Sequence, residues 1–381
     1  MSELNWIYSY GFLEARLFDL PNFILCFLFI FVASKRLRVS PAVQFVLILH
    51  CFLPFLLNDV LFSTNYMPDQ YKYWSAFNLI RNGDFNLAHE TQASTVVAAS
   101  YFFALLPFPN ASGPWSLGFY NAFLYVALFF WLHSRQVFTP ISKIFYLFFP
   151  SFALYSSLSL RDTLIAVFMI VAVQLARENK KILMFFAVLP LYFIKFQNLI
   201  IIFPLVLIYS FFKVSQKGMS IIKAAVISLI SMLMVFVSAP ITIPIVNKYR
   251  LAMFVEDGGQ IEDISLISGV GDFILQGLTS GLYFLSKPFI WEASGALQLI
   301  QSVENFFVLI FLFIITRQAW KNKPDRLIFW LLFMFLSMSV YGLVVANYGT
   351  AVRYRYAFVV IYVLFVCSDC NVKRFFLKDQ V

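Results

Sequence analysis

Apolar runs bounded by charge or proline recur along the whole chain, at about 18–34, 42–62, 115–132, 141–158, 162–176, 182–195, 198–212, 219–243, 298–316, 327–346 and 355–369. A helix needs ~20 apolar residues to cross a bilayer core, so about eleven such runs take up roughly 220 residues. That is nearly the whole apolar inventory of a 381-residue chain that is 61% apolar. A soluble domain is about 45–50% apolar and about 25% charged; this chain is 12% charged. Soluble enzymes, nucleic-acid-binding domains and disordered proteins are therefore excluded. The predicted fold class is all-α, a polytopic transmembrane helical bundle of about 11 spans (about 10 to 13) forming one integral membrane domain over residues 1–381.

The net charge of +9 is informative through its distribution. Basic clusters follow alternate runs: Lys35 to Arg38, Arg135, Arg177 with Lys180 and Lys181, Lys213 with Lys217, Arg317 to Arg326, and Lys373-Arg374. Lys and Arg collect in short cytoplasmic loops. All the clusters share one side if 94–108 does not cross, and that segment is read as re-entrant or interfacial. The N-terminus is then outside and the C-terminus cytoplasmic. Glu3 and Glu14 precede the first run without a basic stretch, which predicts no cleaved signal peptide. Cys26 and Cys51 lie in apolar runs and Cys367 and Cys370 end the last one, a pattern of apolar or interfacial cysteines without a disulfide framework.

Two long segments are expected outside, 63–114 and 244–297. In the first, Tyr73, Trp74, Phe77 and Ile80 recur at helical spacing, with Pro68 suited to a first turn and Gly83 to a stop. This predicts an amphipathic helix lying flat on the outer membrane surface. The second carries Glu256, Asp257, Glu262, Asp263 and Asp272 among several glycines and is read as a flexible acidic lid.

With the cytoplasmic clusters set aside, the remaining ionisable residues collect on the outer side: Asp59, Asp69, Lys72, Arg81, Arg161, Asp162, Lys195, Lys287, Glu292, Arg353 and Arg355. A charge inside a span costs ~2.5–3.5 kcal/mol or more, so it is normally paired or functional. Asp69, at the start of the amphipathic helix beside Lys72, is the best general base; Asp59 and Asp162 are the other candidate catalytic carboxylates. Arg161, Arg353, Arg355, Lys72, Lys195 and Tyr354 are the candidate substrate-binding residues. Arginine suits phosphate because it contacts two oxygens at once. Each also has a structural reading. Ser159 followed by Asp162 fits a helix-start cap, Asp69 fits a first-turn acid, and Arg353 and Arg355 fit interfacial snorkelling. Residues two apart in a helix point ~200° from each other, so Arg353 and Arg355 can grip one group only if the backbone near Gly349 is irregular. Arg177 and Arg317 are expected to serve orientation alone. His50, His89 and His133 have no zinc-ligand spacing, there is no phosphate-binding loop motif, and no metal or cofactor is expected.

Three stretches, Pro68-Asp-Gln-Tyr-Lys-Tyr-Trp74, Pro150-Ser-Phe-Ala-Leu-Tyr-Ser-Ser-Leu-Ser-Leu-Arg-Asp162 and Asn347-Tyr-Gly-Thr-Ala-Val-Arg-Tyr-Arg355, resemble bacterial O-antigen and capsular repeat-unit polymerases and their GT-C-type glycosyltransferase relatives. The resemblance implies an inverting transfer on the periplasmic face of the inner membrane. A sugar hydroxyl attacks the anomeric carbon of a polyprenyl-diphosphate-linked oligosaccharide, basic residues hold the diphosphate, and a carboxylate activates the acceptor. It also implies a lipid-linked substrate, membrane lipid, a chain-length regulator and a flippase as partners, and no nucleic acid. The GT-C pattern places an acidic pair in the loop after the first span; here the loop follows the second run and carries Asp69-Gln70, which points to the more divergent polymerases. A GT-C enzyme moving one sugar from a polyprenyl-phosphate, and a flippase or transporter, are the competing readings. The second is disfavoured by charges at one surface and by the absence of a visible internal repeat.

Overall fold

The computed structural model describes residues 17–57, 61, 67–109, 111–256, 264–293, 295–345 and 347–373. Asp59, Asp257, Glu262 and Asp263 lie outside the described residues. Among the described residues regular structure is entirely helical, in chain order α1 (Leu20–Leu37), α2 (Pro41–Leu57), α3 (Asp69–Asn82), α4 (Phe85–Thr91), α5 (Ser94–Ala104), α6 (Leu117–Ser134), α7 (Pro140–Phe148), α8 (Pro150–Tyr155), α9 (Asp162–Arg177), α10 (Lys181–Val188), α11 (Pro190–Ile194), α12 (Phe196–Phe211), α13 (Val214–Lys217), α14 (Ile221–Glu256), α15 (Val270–Ser286), α16 (Ala296–Asn322), α17 (Pro324–Gly342) and α18 (Tyr348–Asp369).

Five described helices, α1, α6, α16, α17 and most of α18, are long and apolar enough to cross a membrane, and α14 makes a sixth if its two halves count as one bent span. Exposed apolar faces such as Phe27, Leu28, Phe31 and Val32 on α1 are larger than a water-soluble surface sustains; they are those of a membrane protein. The remaining apolar runs form shorter helices. Proline sets several of the breaks. Phe149 is extended (φ −73°, ψ 109°) ahead of Pro150, because a proline disfavours the helical region for the residue before it, and this separates α7 from α8. In α14 the halves Ile221–Met234 and Phe236–Val255 meet at 63°. Pro240 cannot donate to the Phe236 carbonyl and its ring crowds it.

The chain forms two compact units. The first comprises 1–137, 147–172 and 182–200; the second comprises 138–146, 173–181 and 201–381. In the first unit α1, α2 and α6 pack together, and α3 packs on α5. The 11-residue α5 rises only ~16 Å and is too short to cross alone. The amphipathic helix expected from Pro68 and Gly83 is α3, which ends with Gly83 at φ 87°, a left-handed conformation that favours glycine.

In the second unit α18 is the central helix, with Val359 to Cys367 fully buried, and Trp330 of α17 stacks on Phe365 at 5.5 Å. Residues 270–286, expected in an acidic loop, form α15 instead. A Cβ on Gly281 would lie 2.9 Å from the Ser339 backbone, and one on Gly342 would collide with the Ser280 carbonyl oxygen. The α15 and α17 backbones therefore touch at a place where only glycine fits, the small-residue contact common between membrane helices. Asp272 sits in the first turn of α15 and accepts from Ser268 N at 3.0 Å and Gln276 Nε2 at 2.8 Å.

Candidate functional site

The first unit brings together two of the three stretches quoted above, 68–74 and 150–162. The connection from α8 to α9, Ser156 to Arg161, is clamped from several sides. Asn121 Nδ2 donates to the carbonyls of Leu158 and Leu160, both at 2.6 Å. A Cβ on Gly118 would meet the Ser157 carbonyl oxygen at 2.5 Å, so α6 lies directly against this connection. Thr163 Oγ1 donates to the Tyr155 carbonyl at 3.1 Å. Buried Ser156 donates to the Phe152 carbonyl and so accepts from His50 Nε2 at 2.8 Å, while the His50 ring stacks on Tyr125 at 3.7 Å. Ser156 lies within the stretch 150–162 and His50 among the scattered histidines, but their pairing is invisible in sequence because 106 residues separate them.

Onto this clamped connection α3 docks its N-terminal turn. The backbone N–H of Ser159 donates to the buried Gln70 Oε1 at 3.0 Å, and the Arg161 guanidinium lies 6.0 Å from the centre of the Tyr73 ring. Arg161 Nη1 also donates to the carbonyl of Ile194, the last residue of α11, at 2.9 Å, immediately before buried Lys195. Asp69 and Lys72 form an ion pair at 3.0 Å on the exposed side of the same helix turn. Further along, Arg81 Nη2 holds the carbonyls of Leu106 and Phe108 at 3.0 and 3.1 Å, and Trp74 Nε1 donates to the Ala111 carbonyl at 2.8 Å. Asp69, Lys72, Tyr73 and Arg161 thus share one region around α3.

Asp162 is buried and is the first residue of α9, a position where a carboxylate complements the helix dipole. Ser159 does not cap that helix as its spacing suggests. Its hydroxyl is buried and has no hydrogen-bond partner among the described residues, while its backbone N–H donates to Gln70.

The third stretch lies in the second unit. Asn347 caps α18 through its side chain, which accepts from Gly349 N at 2.8 Å, and the helix is regular from there. The paired clamp expected of Arg353 and Arg355 does not form. The two side chains leave a regular helix on different sides, and Arg355 Nη1 donates to the carbonyls of Phe284, Leu285 and Lys287 at 2.8, 2.7 and 2.8 Å. These are among the carbonyls that the end of α15 leaves without helical donors. Buried Arg355 is therefore a helix-end clamp. The Arg353 guanidinium lies 5.9 Å from the Tyr354 ring, which in turn packs 5.4 Å from Tyr341. Lys287 and Glu292 pair at 2.9 Å, and Phe289 N donates to Glu292 Oε2 at 3.1 Å. These contacts hold the Glu292 carboxyl below its ordinary value, the hydrogen bond from Lys287 contributing most and that from Phe289 N–H next.

Arg177 departs from the role of a plain cytoplasmic anchor. Its Nε lies 3.0 Å from Oδ1 of the fully buried Asp369 carboxylate, an ion pair off the hydrogen-bond line. Asp369 Oδ2 accepts from Tyr209 Oη at 2.6 Å and Trp330 Nε1 at 3.1 Å, and its backbone carbonyl accepts from Arg326 Nη1 at 2.7 Å. This knot ties the end of α9 to α12, α17 and α18.

Comparison with protein families, curated proteins and solved structures finds no match.

Proposed function

We propose that the chain is a membrane-embedded glycosyltransferase that joins polyprenyl-diphosphate-linked oligosaccharide repeats, at the outer leaflet of a bacterial inner membrane. The observation that carries the reading is the docking of 68–74 on 156–161. Gln70 and Ser159 lock the two stretches, and Arg161 stands over Tyr73 one turn from the Asp69–Lys72 pair. A cation and a carboxylate on one rigid frame are what glycosyl transfer to a sugar hydroxyl requires.

In this reading the acceptor oxygen forms a bond to the anomeric carbon as the bond to the diphosphate breaks. The hydroxyl proton passes to Asp69, which Lys72 orients, and the diphosphate leaves on its polyprenyl carrier against Arg161. Lys195 and Asp162 contribute to binding or support in the first unit, Arg353 and Tyr354 are substrate contacts of the second, and Arg355 acts through the fold. About eleven crossings are completed by α2, α9, α12 and the broken pairs α7–α8 and α10–α11 beside the six longer elements, with α5 remaining on the outer side. A flippase delivers the substrate and a chain-length regulator sets the product.

Surface polysaccharide from a deletion strain tests the reading. Caps of a single repeat are expected; a full-length polymer lacking one decorating sugar would replace the polymerase with a single-sugar transferase. Tags at Asn82 and Gln260 are expected to report an external location and tags at Lys180 and Lys321 the cytoplasm. A cytoplasmic Asn82 would remove the site.

A further inference from the structure

The first unit also contains an open groove of about 630 Å³ between α4–α5 and the α11–α12 segment, lined by His89, Tyr101, Phe102, Tyr192, Phe193 and Phe196 among others. Its outer wall is aromatic and only half covered by protein: Tyr192, Phe193 and Phe196 are 55%, 55% and 49% exposed. Tyr192 meets Phe193 and Phe196 edge to face at 5.1 and 5.6 Å, so the wall is an ordered set of rings. The groove is of a size that takes a small molecule or a segment of chain.

The same short helix that supplies Tyr192 and Phe193 ends at Ile194, whose carbonyl accepts from Arg161. A guanidinium carries five N–H donors, and Arg161 gives one hydrogen bond to protein among the described residues. An apolar trough thus shares α11 with a cation, an arrangement complementary to an amphiphile with an anionic head. We infer that this groove holds the hydrocarbon chain of a phosphate-headed lipid whose head group lies at Arg161. Resting on the polymerase reading, the occupant is the polyprenyl chain of the diphosphate carrier. The rings give its branched, unsaturated units flat apolar faces, and the small side chain of Ala98 of α5 also lines the groove.

The test uses the full-length chain in phosphatidylcholine nanodiscs with a diazirine-bearing polyprenyl diphosphate as the probe. Labelling is expected on the peptides containing residues 98–102 and 192–196, competed by unlabelled polyprenyl diphosphate and not by polyprenol. Ala98→Trp, which fills the trough, should lower that labelling about tenfold. Tyr192→Ala with Phe196→Ala should do the same, and these side chains are too exposed for the fold to depend on them. Arg161→Lys should lower labelling by the diphosphate probe toward the background level given by a polyprenol probe. Equal labelling of the groove by a diazirine phosphatidylcholine, or no response to either groove variant, would overturn the inference. Unselective labelling with a normal polymer ladder would remove the groove and leave the polymerase standing. Selective labelling of a protein whose deletion leaves the ladder intact would do the reverse.

Discussion

The Ser159 N–H donates to Gln70 Oε1 at 3.0 Å, with both residues fully buried, and this bond joins α3 to a connection that lies far from it in the chain. A buried backbone N–H left without an acceptor costs about 1–3 kcal/mol. Gln70→Ala is therefore expected to destabilise the protein by that amount in detergent and to lower activity with it, because the Tyr73–Arg161 contact depends on the docking. Gln70→Glu keeps an acceptor but buries a carboxylate, so it should be destabilised at neutral pH and recover part of the loss when acidified. Thermal unfolding of the two variants, with equal loss in both at either pH, would mean that the docking rests on packing alone.

The glycines between α15 and α17 make a second structural prediction. A side chain on Gly281 or Gly342 would enter the backbone of the opposite helix, and backbone cannot move aside as a flexible side chain does. Gly342→Ala and Gly281→Val should each cost about 1–3 kcal/mol or more, whereas Gly271→Ala, with open space around it, should be neutral. Membrane-inserted yield and melting temperature measure the contrast.

These two sites differ in how far the sequence reveals them. Helix α3 is legible end to end, because a proline start, a helical apolar spacing and a glycine stop are local signals. Residues 270–286 read as a loop because glycine and Asp272 suggest one, although Gly277 and Gly281 at four-residue spacing are the mark of a helix that packs closely on another. Arg355 reads as a phosphate ligand because its partners are backbone carbonyls, which leave no trace in sequence. Arg177 reads as an anchor because Asp369 lies at the other end of the chain. Short runs such as 141–158 and 182–195 satisfy a hydropathy test while their internal prolines divide them into separate helices.

Glu292 yields a pH prediction. Its carboxyl is held below the ordinary value by Lys287 and Phe289 N–H, so the folded state favours the ionised form. The contribution to stability is present above the ordinary carboxylate value of about 4.3 and is lost as pH falls through the lower folded value. The difference in melting temperature between wild type and Glu292→Gln should accordingly be largest at neutral pH and close as the solution is acidified. Carbon-13 titration of Glu292 should give a midpoint below the ordinary range that moves upward in Lys287→Gln. An ordinary midpoint in wild type would refute the pairing.

The arginines separate chemistry from architecture. A diphosphate leaving group gains negative charge as the anomeric bond breaks, and a fixed guanidinium beside it lowers the barrier without moving. Lysine is a point charge that cannot reproduce a two-pronged contact. Arg161→Lys is expected to cost about 2 kcal/mol or more in transition-state stabilisation while the protein still inserts at wild-type level. Arg353→Lys is expected to lower activity while the protein still inserts. Arg355→Lys should instead reduce the amount of folded protein, because one ammonium cannot hold the end of α15 in the same geometry, and activity per folded molecule should persist. Arg177→Ala leaves the Asp369 carboxylate buried without its cation, a loss of about 3–5 kcal/mol. Arg177→Lys should fall between that and wild type, in contrast to exposed Arg317→Lys, which should be silent. Polymer laddering normalised to folded protein, read beside melting temperature, distinguishes the groups. Full activity per folded molecule in both Arg161→Lys and Arg353→Lys would end the diphosphate-binding role of the arginines and leave them as parts of the scaffold.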